Sequence, residues 1–312
     1  MTKPPGFPDF FVVGAPRSGT TSLCRYLARN PQICFSRPKE PHYFARTGQL
    51  PSADQLQRNY LDYYFYHHTA AHRSVGEGSV SYLYLPGAIE QILQINPDVR
   101  FIAMVRNPLK MLPSYHLRMR FLLQEDVEDF ETAWRLQPER ARGENLPACC
   151  LDARVLMYGE IASFGAQVGR LFDLVGRDRA HIIVFDDFLA DPLGVYRQAL
   201  DFLEVEYDRQ VHFDDSCVSQ FYRYSWLQQM FFIPVRRGGK LVETVQRSTR
   251  KYNADGSKRK TLISRIVNWN AVPATPQPLT PRMVGIVRDY LGPDVELLSR
   301  LLQRDLSHWF SG

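Results

Sequence analysis

The residues best suited to chemistry follow the apolar run Phe10–Gly14, in the stretch GAPRSGTTSL. Gly14 and Gly19 are separated by four residues and are followed by two threonines, which is the spacing of a phosphate-binding loop. Backbone N–H groups and the dipole at the start of a following helix favour an anion there. Thr20 replaces the usual lysine and the nearest cation is Arg17, so the loop is predicted to bind a phosphate other than the terminal ones of ATP. The alternative is a glycine-containing turn without a ligand.

A second candidate site follows the apolar run at 101–105. Arg106 ends that run, and Ser114 lies two turns into a helix predicted to begin at Pro108. In open parallel sheets, ligands bind at the carboxyl ends of the strands. The arginine fork matches a phosphate, and the serine adds a hydroxyl donor. Taken alone, the pair is better explained as a surface arginine and a helix serine.

A third stretch, RPKEPHYF at 37–44, places Lys39, Glu40 and His42 between two prolines. Glu40 and His42 are both candidate general bases, since either side chain accepts a proton from a substrate hydroxyl. Without the glycine loop, the glutamate is better explained as solvated and the histidine as structural. The small-residue segment EGSVSY at 77–82 is most simply a turn.

Composition restricts the class of protein. The chain has 312 residues, 45% of them apolar, and a formal net charge of +5, which suits an anionic substrate. It has no apolar run of the ~18 residues that a membrane span needs, and its first residues do not resemble a signal peptide. Its five cysteines form no CxxC pair, and no cluster has zinc-ligand spacing. We therefore expect a cytoplasmic protein without a metal.

Apolar runs alternate with helical patterns, which predicts an α/β fold with a parallel sheet flanked by helices. The predicted strands are 10–14, 74–79, 101–105 and 181–188. The predicted helices are 20–29, 87–95, the one beginning at 108, 155–175, 192–203 and 281–309, the last broken at Gly292–Pro293. A charged, irregular insertion is expected at 125–147. The glycine-rich and basic stretches at 236–240 and 247–260 are expected to form a surface loop or lid.

Four motifs together, GAPRSGTTSL, KEPHYF, GEGSVSYL and VRNPLKMLPSYHLRMR, resemble the sulfotransferase family that uses 3′-phosphoadenosine 5′-phosphosulfate (PAPS). The likeness is greatest to its bacterial and heparan-sulfate-like branch. It runs from residue 10 to about 205 and continues weakly to the terminal helices. The resemblance implies a P-loop-like α/β core and one domain over 1–312. Within it, 10–205 is the core, 206–280 supplies covering loops, and 281–312 supplies terminal helices.

The resemblance also implies roles for the candidate residues. The 5′-phosphosulfate is held by Arg17, Ser18, Gly19, Thr20, Thr21 and Ser22, and the 3′-phosphate by Arg106 and Ser114. Arg17 stands where many members have a lysine; because arginine is a poor proton donor, Lys39 is expected to share that role. Glu40 matches the acidic residue that acts as base in heparan-sulfate-like members, with His42 as the alternative.

A glycine-rich, basic cofactor segment of the family has a loose match in GSKRK at 256–260, which assigns Lys258 and Arg259 to cofactor binding. The implied reaction is sulfuryl transfer from PAPS to a hydroxyl, or less readily an amine, with PAP as product. The acceptor is expected to be a small molecule, such as a natural-product intermediate, or a carbohydrate. No nucleic-acid or membrane partner is expected. The alternatives are a nucleotide kinase or NTPase, and a basic protein that binds acidic glycans or nucleic acid.

Overall fold

The computed structural model describes residues 3–150, 152–210, 212–213, 219–236 and 262–310. Lys258, Arg259 and the basic stretch 237–261 lie outside the described residues. The strands are Phe10–Gly14 (β1), Ile33–Phe35 (β2), Ser74–Gly78 (β3), Arg100–Val105 (β4), Ala180–Val184 (β5), Gln220–Tyr222 (β6) and Ala271–Pro273 (β7).

The helices are Thr20–Arg29 (α1), Tyr43–Thr47 (α2), Ala53–Leu56 (α3), Asp62–Tyr64 (α4), Ser81–Tyr84 (α5), Ala88–Ile95 (α6), Pro108–Phe121 (α7), Phe130–Arg135 (α8), Gln137–Ala141 (α9), Tyr158–Ala162 (α10), Phe164–Val175 (α11), Phe185–Ala190 (α12), Pro192–Phe202 (α13), Ser225–Arg236 (α14), Leu262–Asn270 (α15) and Pro281–Leu302 (α16). One π-helical turn covers Gln57–Leu61, and 3₁₀ turns cover Ala153–Leu156, Arg177–Arg179 and Ser307–Trp309. Among the described helices, none combines the length and the apolar composition that crossing a bilayer requires.

Two compact units make up the chain. The first comprises Met1–Asn107, Ser163–Cys217 and Pro293–Gly312, and the second comprises Pro108–Ala162 and Val218–Gly292. The first contains the five-stranded parallel sheet, and the second contains the antiparallel pair β6–β7. The single-domain organisation stays a prediction.

The five-stranded sheet has the order β2-β3-β1-β4-β5, and all of its pairs are parallel. This confirms the predicted α/β class. After β1 the chain forms β2 and β3 on one side of β1, and then β4 and β5 on the other side. The strand order therefore reverses at β1. A crevice at the carboxyl ends of β1 and its neighbours is where such sheets bind ligands.

β1 is apolar on both faces because both faces are covered. All five of its residues are buried. Phe10 and Val12 join the core formed with Leu23 of α1. On the other face, the ring of Phe11 stacks on that of Phe101 of β4, with the centroids 6.0 Å apart. The bounds of β1 and α1 agree with the sequence prediction.

Strand β5 ends at Val184, and the prediction that it reaches residue 188 was wrong. α12 begins at Phe185 and has Asp186 and Asp187 in its first turn, where carboxylates favour a helix start. Arg304 forms a bidentate hydrogen bond with the carboxylate of Asp187, with Nη2 2.9 Å from Oδ1. The favourable acidic residues and this contact stabilise the segment as a helix.

The stretch 155–175 is divided, and the prediction of one long helix was wrong. It passes from a 3₁₀ turn into α10 and then α11. The N–H groups of Gly165 and Ala166 donate to the carboxylate of Asp294, at 2.7 and 2.8 Å. This distant carboxylate caps α11 and fixes its start.

The last helix, α16, runs from Pro281 to Leu302 with Pro293 inside it. The predicted break at Gly292–Pro293 was therefore wrong. An interior proline removes one helical N–H donor. The helix nevertheless continues, because the side chains of Leu291 before the proline and of Val295 and Leu298 after it are buried.

The segment 125–147 contains α8 and α9, so the prediction that it is irregular was wrong. A fully buried ion pair lies within it: Arg140 Nη1 and Nη2 donate to the two oxygens of Glu125 at 2.6 and 2.8 Å. The hydroxyl of Tyr158 also donates to Glu125, at 2.6 Å. A fully paired buried carboxylate of this kind fixes one arrangement, because losing either partner leaves an uncompensated buried charge.

Candidate active site

The loop after β1 is fixed by a backbone hydrogen bond to β4 and by the conformation of Gly19. The N–H of Ala15 donates to the carbonyl of Met104 in β4 at 2.6 Å. Gly19 directly precedes α1 and has a φ of 88°, in the left-handed region that favours glycine. A Cβ at this position would lie 2.7 Å from a ring carbon of Phe185. Gly19 is therefore required both by its conformation and by the space around it.

The start of α1 offers an anion site. The carbonyl of Gly19 accepts from the N–H groups of Ser22 and Leu23, at 3.0 and 3.2 Å. Within the described ranges, the N–H groups of Thr20 and Thr21 have no acceptor, and the first turn contains no acidic residue. The ends of a helix leave such donors unpaired, and the helix dipole adds positive potential. This arrangement suits a phosphate.

Arg106 lies beside this loop at the end of β4. Its Nη1 donates to the carbonyl of Arg17 at 2.9 Å, and its guanidinium lies over the ring of Phe185, 4.5 Å from the centroid. Its Nε is buried and has no hydrogen-bond partner among the residues described. Burial lowers the pKa of Arg106, and the charge of Asp186 offsets part of that effect. The result is a fixed cation with an unused donor.

Arg17 has a φ of 60°, and Ser18 beside it is fully buried. A non-glycine residue in the left-handed region is uncommon and tends to occur at functional sites. Arg106 holds this turn through the Arg17 carbonyl, so the two candidate arginines are joined directly.

The strip from Lys39 to His42 is anchored at the carboxyl end of β3, the neighbour of β1. The N–H of Glu40 donates to the carbonyl of Gly78, and the N–H of His42 donates to Ser79 Oγ, both at 2.9 Å. Both Glu40 and His42 have left-handed backbones, with φ of 66° and 50°. The sheet therefore brings this strip and the loop after β1 to one edge.

Glu40 lies between two groups that can be cationic. Lys39 Nζ is 2.5 Å from its Oε1, and His42 Nε2 is 3.9 Å from its Oε2. Burial by itself raises the pKa of Glu40, but Lys39 and His42 lower it by more, so the pKa lies well below the ordinary value. The side chain is 36% exposed. Glu40 is thus an ionised, reachable proton acceptor.

His42 is oriented by a contact that the sequence did not reveal. Its Nδ1 lies 2.6 Å from Ser81 Oγ, at the start of α5. This contact turns Nε2 toward Glu40, so the ring supports the carboxylate.

Glu77 is a further acidic side chain in this unit, and sequence reasoning missed it. It lies in β3 and is fully buried. The hydroxyls of Tyr60 and Tyr82 donate to its Oε2, the second at 3.3 Å, whereas Oε1 has no partner among the described residues. Burial raises the pKa of Glu77 to about 7, although the neighbouring hydroxyls and Lys39 oppose the rise. The sequence signal was a lone acidic residue in a strand.

Glu77 makes the stability of the fold depend on pH. Between its ordinary pKa of 4.5 and about 7, the folded state keeps a proton that the unfolded state has lost. The free energy of unfolding therefore falls as the pH rises through this window, by about 3 kcal/mol in total. Glu77→Gln removes this contribution. In urea unfolding at several pH values, the difference between wild type and variant should change across the window; a constant difference would contradict the assignment.

The structure tests neither Ser114 nor the two basic candidates as phosphate ligands. Ser114 belongs to the second unit, where it is buried in α7 with its Oγ 3.5 Å from Ser219 Oγ. Its role in binding a phosphate stays a prediction, and Lys258 and Arg259 lie outside the described residues. The described part of the chain has no group of three or more metal-ligating side chains placed to hold an ion.

Comparison with known proteins decides the family. The model of the sulfotransferase family matches residues 8–75 and 37–209, which together make up more than half of the chain. The chain belongs to the sulfotransferase family. This confirms the resemblance of the four sequence motifs.

Curated members of the sulfotransferase family match over shorter stretches. Membrane-associated sulfotransferase kil1 of Dictyostelium discoideum is 27% identical over 121 residues, which is 37% of this chain and 24% of that protein. Human carbohydrate sulfotransferase 15 is 28% identical over 150 residues, 35% of this chain and 27% of that protein. The matched region thus spans about a quarter of each relative.

A solved sulfotransferase from Alicyclobacillus acidocaldarius shares the fold. The superposition has a TM-score of 0.64 and covers 97% of this chain and 98% of that one, with 24% sequence identity. It supports the P-loop-like architecture.

Proposed function

We propose that this chain transfers a sulfuryl group from PAPS to a hydroxyl, or less readily an amine, of a small-molecule or carbohydrate acceptor. The observation that carries the proposal is the pairing of Arg106 with the carbonyl of Arg17, next to unpaired N–H groups at the start of α1. A nucleotide with phosphates at both its 5′ and 3′ positions needs two such groups of donors. Family membership supplies the reaction type.

The residues present fit such a nucleotide. The loop N–H groups and Arg17 would hold the 5′ side, and Arg106, with its unused buried Nε, would hold the 3′-phosphate. Arginine suits this task because it stays charged and presents a planar fork. When bound, PAPS supplies a sulfuryl group attached to a phosphate leaving group.

The remaining chemistry falls to side chains at the same edge. Glu40 accepts the proton of the acceptor hydroxyl while the hydroxyl oxygen bonds to sulfur. Arg17, the loop N–H groups and Lys39 stabilise the negative charge that develops on the departing phosphate. His42, fixed by Ser81, keeps the Glu40 carboxylate in place. The contribution of this chain is therefore positioning and electrostatic stabilisation.

The direct test of the function is incubation with PAPS and a panel of acceptors, followed by mass spectrometry. The panel includes carbohydrates, because the name of one relative specifies them, and hydroxylated and amino small molecules. We expect a sulfated product to form together with an equal amount of PAP. Phosphorylation of an acceptor with ATP, and no sulfation, would favour a kinase.

PAP should bind at least tenfold more tightly than AMP. The two differ only in the 3′-phosphate, and one charge-assisted contact to Arg106 is worth roughly 1.5–3 kcal/mol. Titration calorimetry at one salt concentration measures both affinities, with ATP as a further comparison. Equal affinities for PAP and AMP would remove the second phosphate site from the account.

A further inference from the structure

The second unit presents exposed aromatic and basic side chains. We call this surface the aromatic–basic face, and it consists of Arg223, Tyr224, Trp226, Met230, Arg265 and Trp269. Trp226, Trp269, Met230 and Tyr224 are 63%, 54%, 51% and 44% exposed. Trp226 and Met230 are four residues apart on α14, so they share one side of that helix. Arg265 and Trp269 have the same spacing on α15.

A buried polar clamp holds this face in shape. The Asn270 side chain accepts from the N–H of Tyr224 at 2.9 Å and donates to the Tyr224 carbonyl at 3.1 Å. It also lies 3.3 Å from Gln228 Oε1, and the Gln228 amide donates to the Phe121 carbonyl at 2.8 Å. The apolar side chains are thus exposed on a fixed support.

The rings on this face are ordered by one another and by an arginine. Tyr224 stacks on Trp269 with the centroids 5.8 Å apart, and the Arg223 guanidinium lies 5.0 Å from the Trp269 centroid. Aromatic rings and arginine side chains combine an apolar body with a polar end, which suits the boundary between water and hydrocarbon.

The charge of this region is strongly biased. The stretches 219–236 and 262–280 contain three arginines and no acidic residue. Over 219–280 the sequence has eleven Lys or Arg and two Asp or Glu, a formal charge of +9. The whole chain has 38 Lys or Arg and 33 Asp or Glu. The residues outside 219–280 therefore have 27 basic and 31 acidic side chains, a formal charge of −4. Eight of these eleven cations lie at 237–261, outside the described residues, so the positive charge of the face itself is that of Arg223 and Arg265.

We propose that the aromatic–basic face docks the protein peripherally on an anionic lipid surface. Tryptophan and tyrosine favour the headgroup level, Met230 adds apolar area below it, and the arginines pair with lipid phosphates. Charge alone would fit any polyanion, but exposed apolar side chains beside the arginines favour a lipid. The sequence-based expectation of no membrane partner rested on spanning segments, which peripheral docking does not need. This inference does not depend on the proposed reaction.

Flotation of the full chain with vesicles tests the proposal. The vesicles are phosphatidylcholine alone, or phosphatidylcholine mixed with phosphatidylserine, at low and at high salt. We expect binding only to the mixed vesicles, weakened by salt, with a blue shift of tryptophan fluorescence. Replacing both Trp226 and Trp269 with alanine should lower the affinity at least tenfold. Arg223→Glu together with Arg265→Glu should do the same.

The matched control is Leu189→Ala, which removes an equally exposed apolar side chain, 64% exposed, from the first unit. It should bind vesicles like the wild type. Circular dichroism verifies that every variant is folded. The proposal is overturned if folded wild type ignores the mixed vesicles, or if the double tryptophan variant binds them unchanged. Binding to heparin or DNA that is insensitive to the tryptophans, without binding to vesicles, would assign the face to a polyanion.

Discussion

Glu40→Gln is expected to lower kcat by roughly 10²–10⁴ while PAP still binds, because the variant keeps the shape of the side chain and removes the proton acceptor. Lys39 and His42 keep Glu40 ionised although the lowered pKa weakens it as a base, and its side chain remains reachable. Steady-state kinetics on the acceptor found by the panel, with calorimetry of PAP, measure both quantities. The backbone at Glu40 is left-handed, and because glutamine has the same shape as glutamate, the comparison isolates the carboxylate.

His42→Asn is the matched control for the base. Asparagine tolerates the left-handed backbone of His42 better than most residues do, so the strip should keep its conformation. We expect a smaller loss of kcat than for Glu40→Gln, since the ring only orients the carboxylate. Near-normal turnover in Glu40→Gln together with an inactive His42→Asn would make His42 the base.

Arg17→Ala is expected to lower kcat by about 10²–10³, the effect of removing one donor to a developing negative charge. Arg17→Lys should recover much of the rate, because the ammonium supplies the same charge. Both variants place a non-glycine residue at the same left-handed position, so backbone strain is common to them. Equal losses in the two variants would show that a positive charge alone is not what Arg17 contributes.

Arg106→Ala should instead weaken PAP binding at least tenfold and leave kcat at saturating PAPS within a few-fold. The 3′-phosphate does not change during the reaction, so its contacts contribute equally to ground and transition states. Arg106 also holds the Arg17 carbonyl, which explains any small loss of turnover. A pure kcat defect with unchanged affinity for PAP would exchange the roles of the two arginines.

Local patterns made much of the α/β core predictable. The apolar run of β1 and the glycine before α1 are both visible in the sequence. The strand, the loop and the helix therefore lie where the sequence predicts them. The placement of Arg106 beside the same loop followed from parallel topology, because the carboxyl ends of parallel strands meet at one edge. Strand β2 escaped prediction because three residues, Ile33–Phe35, carry too short a pattern.

The parts that sequence reasoning missed depend on partners far along the chain. The buried pair of Glu125 and Arg140 gives order to a segment whose composition resembles an exposed loop. Asp294 fixes the start of α11 from 128 positions away in sequence. Neither contact can be recognised from nearby residues in the sequence. Each polar group needs its partner only because folding removes it from water.

The most direct test of the central claim is a crystal structure of the protein with PAP bound. The account predicts the 5′-phosphate within hydrogen-bond distance of the N–H groups of Thr20 and Thr21, the 3′-phosphate on the Arg106 guanidinium, and Glu40 facing the space beyond the 5′-phosphate. A nucleotide bound away from the loop after β1, or a 3′-phosphate that leaves Arg106 without a ligand, would contradict it.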